Sequence, residues 1–539
     1  MIRDLGVLLN CSQTGGILTV ENVKRFADFL VRMGYQSLML YTEDVYEIEG
    51  EPYFGYLRGR YRKEEIREID AYCSSIGLEL IPCIETLGHL EKVLQWNAYS
   101  PIRNAEDTVD VDAEATYVLI EKMIKECREC FSSHYINLGM DEADSMFMGQ
   151  FLKRHGWLSK EEKFQVLLRH VEKVANLAKR YDFVPYMWSD MWFKIARGQY
   201  YALTDDVPLK VKERFAKTGM NLIYWDYFED NAMYDSMLEQ HRDFGCDVAF
   251  AGGACNWIGF ATSNFHSIAK NKMGVSSCLK AGVERYLVTL WGGVYSDFYA
   301  VLPTLFAVSE YRKGNFDENS IRQKFETTFQ ESWDDFCLFD LLLPKEIRVT
   351  DDITSGGMEY FFADPFLSAY DSTIRDDEKE VAVYRDYVEK FLEAAKRSHH
   401  FSPLFQKAAA YVNALADKYA LGIHTRRAYL SRDRKKLAKI LPEFDKAICS
   451  FETFYQQFRS YFFSEMKGEG FNSYDLRLGG VLSRLKTCRW RLEQYLEGKI
   501  ERIEELEEPI LDYYGGDQFE KRIVLDCSSF RRMTTVNDL

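Results

Sequence analysis

Residues 135–144 read YINLGMDEAD, an apolar run with strand character that ends in a glycine and two adjacent carboxylates. A buried strand that carries Asp141 and Glu142 to its C-terminal tip is typical of an active-site edge rather than of a solvated charge pair. In a barrel of alternating strands and helices, the catalytic groups sit at that end of the strands. The pair is therefore a candidate acid/base site.

Around this motif, residues 1–310 alternate short apolar segments with amphipathic ones. The apolar segments are typical of parallel strands buried on both faces, and the amphipathic segments of helices that cover them. Eight repeats predict an α/β fold, a (β/α)8 TIM barrel. The predicted strands are Leu5–Asn10, Ser37–Thr42, Glu79–Ile84, Tyr135–Met140, Val184–Trp188, Asn221–Asp226, Asp247–Gly252 and Arg285–Trp291. The clearest predicted helices are Val20–Met33, Lys63–Ile76, Ala113–Phe131, Lys160–Tyr181 and Asp206–Thr218.

From about residue 375 the pattern changes to long, glycine-poor segments with apolar residues at i, i+3 and i+4. The pattern predicts a catalytic TIM barrel at 1–320, a connecting segment at 321–374 and an α-helical C-terminal domain at 375–539. The predicted helical stretches are Glu378–Lys396, Leu404–Leu421, Arg434–Phe463 and Leu476–Glu505, and residues 523–525 predict a short strand.

Composition limits the classes of partner. The 539 residues are 47% hydrophobic, which is ample for two or three domains, and the net charge of −16 disfavours nucleic acid. The first ten residues resemble a strand rather than a signal peptide, and no apolar run reaches the ~18 residues of a membrane span. The 12 scattered cysteines fit free thiols in a cytoplasmic protein. No cluster has zinc-ligand spacing and no glycine-rich loop resembles a phosphate cradle, so we expect neither metal nor cofactor.

The predicted strand tips are rich in polar and aromatic side chains, which is the composition of a small-molecule pocket. A structural protein would have little reason to repeat this at so many tips. Each residue also has a structural alternative, such as a helix cap for His89 or a core position for Tyr224 and Trp257. The candidate pocket residues at the tips are Gln13, His89, Trp188, Tyr224, Asp226, Trp257 and Trp291.

The adjacency of Asp141 and Glu142 restricts the chemistry. Two carboxylates that flank a glycosidic bond must face each other, roughly 5–5.5 Å apart for retention and 6.5–9.5 Å for inversion. Sequence neighbours at a strand end diverge instead. Adjacency favours a division of labour in which one carboxyl is the general acid and the other holds a substrate group that is itself the nucleophile. The acetamido group of a 2-acetamido sugar is such a group.

Gly139-Met140-Asp141-Glu142 resembles the Asp-Glu motif of glycoside hydrolase family 20, the β-N-acetylhexosaminidases. The similarity extends over roughly residues 1–310, through the segment 82–90 (PCIETLGHL) with its His89 and through three further elements. These elements are Trp188, the Tyr224-x-Asp226 pair and Trp291-Gly292. The chain is most similar to the branch with an N-terminal catalytic barrel and a following helical domain.

The resemblance implies exo-acting release of a terminal β-linked GlcNAc or GalNAc from an oligosaccharide or glycoside, through an oxazolinium intermediate. It implies that Glu142 is the acid and then the base, with a pKa raised by an apolar pocket, and that Asp141 holds the acetamido N–H. The other implied roles are a hydrogen bond from Tyr224 to the acetamido oxygen, pocket walls at Trp188, Trp257 and Trp291, and supporting or hydroxyl-binding roles for Asp226 and His89. The helical domain is a candidate surface for a homodimer.

Three positions depart from the family pattern. Gln13 stands where an Arg usually clamps the far hydroxyls of the sugar, and Gln lacks its charge and fork of donors. Gly293 replaces the usual Glu after strand eight, with Asp297 as a candidate substitute, and Asn137 replaces a His. We therefore expect altered recognition of the far side of the sugar, through a galacto-configured or substituted ring.

Two other functions stay open. One is a glycan-binding protein on a family 20 barrel that has lost catalysis, which the changes at Gln13 and Gly293 favour. The other is a conventional retaining glycosidase with a distant nucleophile such as Glu43 or Glu85. Dependence on the N-acetyl group separates them, because only substrate-assisted catalysis demands it.

Overall fold

The computed structural model describes residues 1–12, 16–257, 259–292, 297–341, 357–374, 377–513 and 515–516. Three predictions, on Gln13, Gly293 and the strand at 523–525, lie outside these residues. No helix in the described ranges is both long and apolar enough to cross a membrane.

Eight parallel strands close into a barrel in sequence order, which confirms the predicted fold. β1 completes the closure, because its register pairs Asn10 with Tyr41 on one side and Leu9 with Leu290 on the other. The strands are β1 (Asp4–Asn10), β2 (Ser37–Tyr41), β3 (Glu79–Cys83), β4 (Tyr135–Asn137), β5 (Val184–Trp188), β6 (Asn221–Trp225), β7 (Val248–Gly253) and β8 (Arg285–Leu290).

Helices cover the barrel, and several begin or end at sequence signals. Thr19 caps the first helix, which ends at Gly34 in the left-handed region, and Ser159 and Glu162 form a capping box at the sixth. The helices are α1 (Val20–Met33), α2 (Lys63–Ser75), α3 (Glu91–Leu94), α4 (Glu114–Cys130), α5 (Gly149–His155), α6 (Lys160–Arg180), α7 (Asp190–Arg197), α8 (Leu209–Thr218), α9 (Asn231–Arg242), α10 (Asn264–Ala281), α11 (Leu302–Arg312), α12 (Glu318–Phe329) and α13 (Trp333–Cys337).

The strands separate two cores. Alternate residues such as Leu8, Ile81 and Ile223 fill the barrel interior, while their neighbours face the helices. This alternation fixes which side chains at a strand end reach the barrel axis. On β6 it turns Ile223 and Trp225 inward and Tyr224 outward.

β4 ends earlier than the apolar run predicts. The ladder stops at Asn137, and Gly139 and Met140 both adopt left-handed backbone conformations, with φ of 70° and 73°. Among the described non-glycine residues with positive φ, four follow strand ends: Glu43, His89, Met140 and Glu142. Such conformations are costly for side chains other than glycine, and they cluster at functional sites.

The remainder of the described chain is mostly helical. The helices are α14 (Met358–Phe362), α15 (Asp377–Arg397), α16 (Ser402–Lys418), α17 (Leu421–Leu430), α18 (Arg434–Glu465) and α19 (Phe471–Leu496). The sequence pattern predicts one helix through Leu421, where the structure begins α17, and it predicts that the last helix reaches Glu505, whereas α19 ends at Leu496.

The helical region packs directly on the barrel. The Asn22 side chain donates to the carbonyls of Ser464 and Glu465 at 2.8 and 2.9 Å, and Leu18 forms an antiparallel bridge with Met466. These contacts join α1 of the barrel to the end of α18. The predicted domain limits at 320 and 375 stay predictions, and α12 runs across the first of them.

Candidate active site

The turn after β4 presents the carboxylate pair. The Asn137 side chain accepts a hydrogen bond from the Gly139 N–H at 3.0 Å and so holds the reversal of the chain. A Cβ at position 139 would collide with the carboxylate of Glu85, so only glycine fits there. Asp141 and Glu142 follow, with Glu142 at φ 47°. The local sequence N-x-G-x-D-E thus builds a tight turn that carries two acids.

His89 lies against both acids. Its Nε2 is 3.4 Å from Asp141 Oδ2 and 3.6 Å from Glu142 Oε2. Burial lowers the pKa of His89, but the carboxylates of Asp141 and Glu142 outweigh it and raise the net pKa. The imidazole therefore stays protonated at neutral pH. The sequence placed His89 at the site, and the structure brings it into contact with the pair.

Glu142 is the more accessible acid, with half of its side chain exposed. Its backbone N–H donates to Asp190 at 2.9 Å, which fixes the turn from the side of β5. The neighbouring His89 cation lowers the pKa of Glu142, although partial burial opposes this shift. The expectation of a raised pKa does not hold for the free protein, because the histidine cation outweighs the apolar surroundings.

Asp141 is buried and keeps an open acceptor. It is 7% exposed, and its Oδ1 has no hydrogen-bond partner among the described residues. A buried carboxylate oxygen without a donor is costly unless a ligand supplies one. An amide N–H from a substrate would satisfy it.

Three further carboxyls, those of Glu85, Asp190 and Glu43, lie close to the pair. Burial, and next the charge of Asp141, raise the pKa of Glu85 well above its usual value and that of Asp190 to about 7. Glu85 is fully buried and accepts the Met140 N–H at 3.2 Å. Glu43 is 3% exposed and accepts the Tyr41 hydroxyl at 2.9 Å. Glu43 and Glu85 are thus engaged by hydrogen bonds from Tyr41 and Met140, and a role for either as a distant nucleophile stays a prediction.

Aromatic rings form a wall beside the acids. The rings of Trp188 and Trp291 lie 5.7 Å apart, and Tyr41 meets Trp291 edge-on at 5.1 Å. Trp291 Nε1 donates to the Tyr227 hydroxyl at 2.8 Å. The Trp257 ring lies 5.3 Å from that of Tyr227. The structure thus brings the three predicted tryptophans to one wall.

Tyr224 does not reach this wall. It is fully buried on the helix side of β6, stacked on His241 at 4.8 Å, and its hydroxyl donates to Asp226 at 2.6 Å. The other Asp226 oxygen accepts two backbone N–H groups of the following turn, and burial raises the Asp226 pKa to about 6. These hydrogen bonds hold the turn after β6 in place. They also occupy the polar groups of both side chains that a sugar would otherwise bind.

Tyr227 is a site residue that the sequence motifs do not single out. Its hydroxyl accepts from Trp291, and the charges of Asp141 and Glu142 act on it. Burial raises the Tyr227 pKa, so the hydroxyl stays neutral, and Thr289 is a second hydrogen-bonding neighbour of this hydroxyl. The period of two along β6 could have found it, because inward positions 223 and 225 are followed by 227.

Asp297, predicted as a substrate-binding substitute, is already paired. Its carboxylate lies 2.5 Å from Lys407 Nζ on α16, and the residue is 5% exposed. It faces the helical region rather than the carboxylate pair. The prediction for this residue is therefore not supported by its placement.

An arginine stands at the end of β1, although it comes from the next loop. Arg58 donates from Nη2 to the Ser12 carbonyl at 2.7 Å and from Nε to Asp44 at 3.0 Å. Asp44 is 1% exposed, and its Oδ2 has no partner among the described residues. Burial raises the Asp44 pKa, and Arg58 only partly opposes it. Sequence spacing gave no signal for this residue.

His89, Asp141 and Glu142 also offer one ligand atom each within 4.8 Å of one another, which is close enough to hold a metal ion. The donor set of one imidazole and two carboxylates fits a divalent cation. The proton that the surrounding acids hold on His89 competes with that role, because a metal ligand must be unprotonated.

A (β/α)8 barrel with an adjacent carboxylate pair at its C-terminal end is the architecture of a glycoside hydrolase. Residues 42–226 match the family model for the glycosyl hydrolase family 20 catalytic domain. Residues 358–525 match that of the glycoside hydrolase 20C C-terminal domain. The chain belongs to glycoside hydrolase family 20, in the branch with a C-terminal helical domain.

Similar proteins carry related names. Hexosaminidase D of Bos taurus is 27% identical over 232 residues, which cover 41% of this chain and 63% of that protein. Hexosaminidase D of Homo sapiens is 26% identical over 232 residues, covering 41% of this chain and 45% of that protein. This chain therefore spans less than two thirds of the length of either relative. A Flavobacterium johnsoniae chitobiase structure aligns at 17% identity with a TM-score of 0.48, over 94% of this chain and 74% of that one.

Proposed function

We propose that this protein is an exo-acting, retaining β-N-acetylhexosaminidase that works by substrate-assisted catalysis. The observation that carries the proposal is the arrangement of Asp141 and Glu142. The two carboxylates share the His89 cation, and one of them keeps a buried acceptor without a partner among the described residues. Family membership and the names of the relatives support the same activity.

In the proposed reaction Asp141 Oδ1 accepts the N–H of the substrate acetamido group and stabilises its developing positive charge. Tyr227, in place of Tyr224, donates to the acetamido oxygen and aims it at the anomeric carbon. Trp188 and Trp291 enclose the acetamido group. The acetamido oxygen forms a bond to C1 while the bond from C1 to the leaving oxygen breaks, which gives an oxazolinium intermediate.

Glu142 supplies the proton that the leaving oxygen takes up, and then removes one from the water that opens the intermediate. The lowered pKa of Glu142 in the free protein suits the second step. A bound sugar displaces water from the half-exposed carboxyl, and desolvation raises a carboxyl pKa. The acid form needed for the first step is thus favoured in the complex.

The far hydroxyls of the sugar then lie toward β1 and β2. There Arg58 offers guanidinium donors and Asp44 a buried acceptor without a partner among the described residues. A guanidinium beside a carboxylate matches two neighbouring hydroxyls, one as acceptor and one as donor. Arg58 would then supply the charge that Gln13 lacks.

The eleven cysteines in the described ranges are free thiols. Free thiols favour a reducing compartment, so a cytoplasmic enzyme acting on small glycosides is part of the proposal. A homodimer through the helical region stays a prediction.

Hydrolysis of paired 4-nitrophenyl β-glycosides tests the activity, with the N-acetyl sugars GlcNAc and GalNAc set against the matching 2-hydroxy sugars. We expect cleavage of the acetamido sugars alone, abolished by Glu142→Gln and kept by Glu284→Gln, an exposed control that precedes β8 at the opposite end of the barrel. Cleavage of the 2-hydroxy sugars would contradict substrate assistance. Activity lost to a chelator and restored by a divalent cation would assign the carboxylate site to a metal.

A glycan-binding role is the second candidate, because a lowered Glu142 pKa disfavours a general acid. Calorimetry with GlcNAc-thiazoline, a mimic of the cyclic intermediate, separates the two. Binding without turnover of any glycoside would favour the binding protein.

A further inference from the structure

A buried ion pair joins the helical region to the end of the barrel. Lys407 on α16 and Asp297, six residues after Trp291, lie 2.5 Å apart with side chains that are 2% and 5% exposed. Removing one member of such a pair leaves an uncompensated buried charge and is strongly destabilising. The pair therefore anchors α16 to the barrel and is not a weak surface ion pair.

Aromatic rings enclose the ammonium group. Lys407 Nζ lies 4.4 Å from the centre of the Tyr461 ring, 5.7 Å from that of Phe458 and 5.9 Å from that of Phe260. These rings exclude water and offer their negative faces to the cation. Close by, Glu465 pairs with Arg25 of α1 at 3.2 Å, so the two ion pairs line the same junction.

Hydrogen bonds connect this point to the aromatic wall. The Asn256 side chain, fully buried, donates to the Asp297 carbonyl at 3.5 Å and accepts the Gly292 N–H at 3.0 Å. Gly292 directly follows Trp291, whose Nε1 holds the Tyr227 hydroxyl. One continuous path therefore runs from Lys407 through Asp297 and Asn256 to the wall beside the carboxylates.

We infer that Lys407 is a positioning residue for the active site, through which the helical domain sets the placement of Trp291 and Tyr227. The inference rests on the proposed function, because these two residues are the ones that would hold the acetamido group. The ammonium holds Asp297, and the Asn256 side chain joins Asp297 to Gly292. An enzyme with this pair broken keeps its acids and loses the alignment of the acetamido oxygen.

Lys407→Met is the test, with Lys418→Met as the matched control. Lys418 lies on the same helix, is similarly buried, and donates to the carbonyls of Tyr360 and Ala363, away from the barrel. We expect both variants to lower the melting temperature. Only Lys407→Met should lower kcat on GlcNAc glycosides, on the order of tenfold to a hundredfold, with a parallel loss of affinity for GlcNAc-thiazoline. Lys407→Arg should restore most of both.

All assays run below the lower of the two melting temperatures. Equal kcat and equal thiazoline affinity in Lys407→Met and Lys418→Met would overturn the inference while the proposed function stands. A wild-type protein without activity on any acetamido glycoside would overturn the proposed function itself. A loss confined to Lys407→Met that Lys407→Arg restores would establish the positioning role.

Discussion

His89 Nε2 lies 3.6 Å from Glu142 Oε2, and this contact sets the charge of the most accessible acid in the site. The histidine cation lowers the Glu142 pKa, and Asp141 keeps the imidazole protonated from the other side. One histidine therefore couples the two carboxylates that the proposed mechanism separates into acid and acetamido ligand.

Replacing His89 by Gln should move the alkaline limb of the pH profile. Glu142 must be protonated for the first step, so kcat/KM falls as the pH rises through its pKa. Without the cation this pKa increases, and the alkaline limb moves to higher pH. The measurement is kcat/KM against pH on a GlcNAc glycoside. His134→Gln, at an exposed position outside the site, is the control, and an unmoved limb would contradict the coupling.

Tyr227→Phe should mainly lower kcat, whereas Tyr224→Phe should mainly lower the free energy of unfolding. Loss of the Tyr227 hydroxyl removes the donor to the acetamido oxygen and should lower kcat by roughly 10²–10³. Loss of the Tyr224 hydroxyl leaves one buried Asp226 oxygen without its donor and should cost about 1–3 kcal/mol of stability. Urea unfolding and steady-state kinetics on both variants measure the two effects. A larger loss of kcat in Tyr224→Phe would support the role that the Tyr-x-Asp motif predicts for Tyr224.

The two tyrosines show what sequence could and could not supply. The strand pattern predicted the barrel and placed an aromatic-rich turn after β6, since buried parallel strands leave an apolar signature. The motif Tyr-x-Asp then pointed to Tyr224, although the period of two already turned Ile223 inward and Tyr224 away from the axis. The error lay in preferring the motif over the alternation.

Other site features depend on contacts that no local pattern contains. Asp297 is close to Trp291 in the sequence, which favours a role in sugar binding. Its ion-pair partner Lys407, however, lies 110 residues further along the chain. The Glu142 pKa likewise depends on His89, which comes from a different strand end. Chain-distant charges of this kind appear only when the fold brings them together.

Arg58→Ala should alter recognition of the sugar rather than the chemistry. If its guanidinium binds the far hydroxyls, the variant should lose about 1.5–3 kcal/mol of transition-state binding on GlcNAc glycosides, and much less on a 4-deoxy analogue. The comparison of kcat/KM on the two substrates measures this. Arg60→Ala is the matched control, since Arg60 lies in the same loop and donates to the Phe54 carbonyl. Equal losses on both substrates would mean that Arg58 only anchors the loop.

Gly139→Ala should disable the site without disturbing the barrel. Position 139 has a φ of +70°, which a side chain adopts only with strain, and the new Cβ would collide with the carboxylate of Glu85. Glu85 is buried and holds the Met140 N–H, so the collision displaces the turn that carries Asp141 and Glu142. We expect a loss of kcat of at least about 100-fold, since misplacement by ~1 Å costs that much. Far-ultraviolet circular dichroism should stay unchanged.

Gly77→Ala is the control for the strain alone, because it shares the positive φ and its Cβ would meet nothing within 4 Å. An active Gly139→Ala enzyme would show that the turn tolerates a side chain and that its geometry does not set the pair.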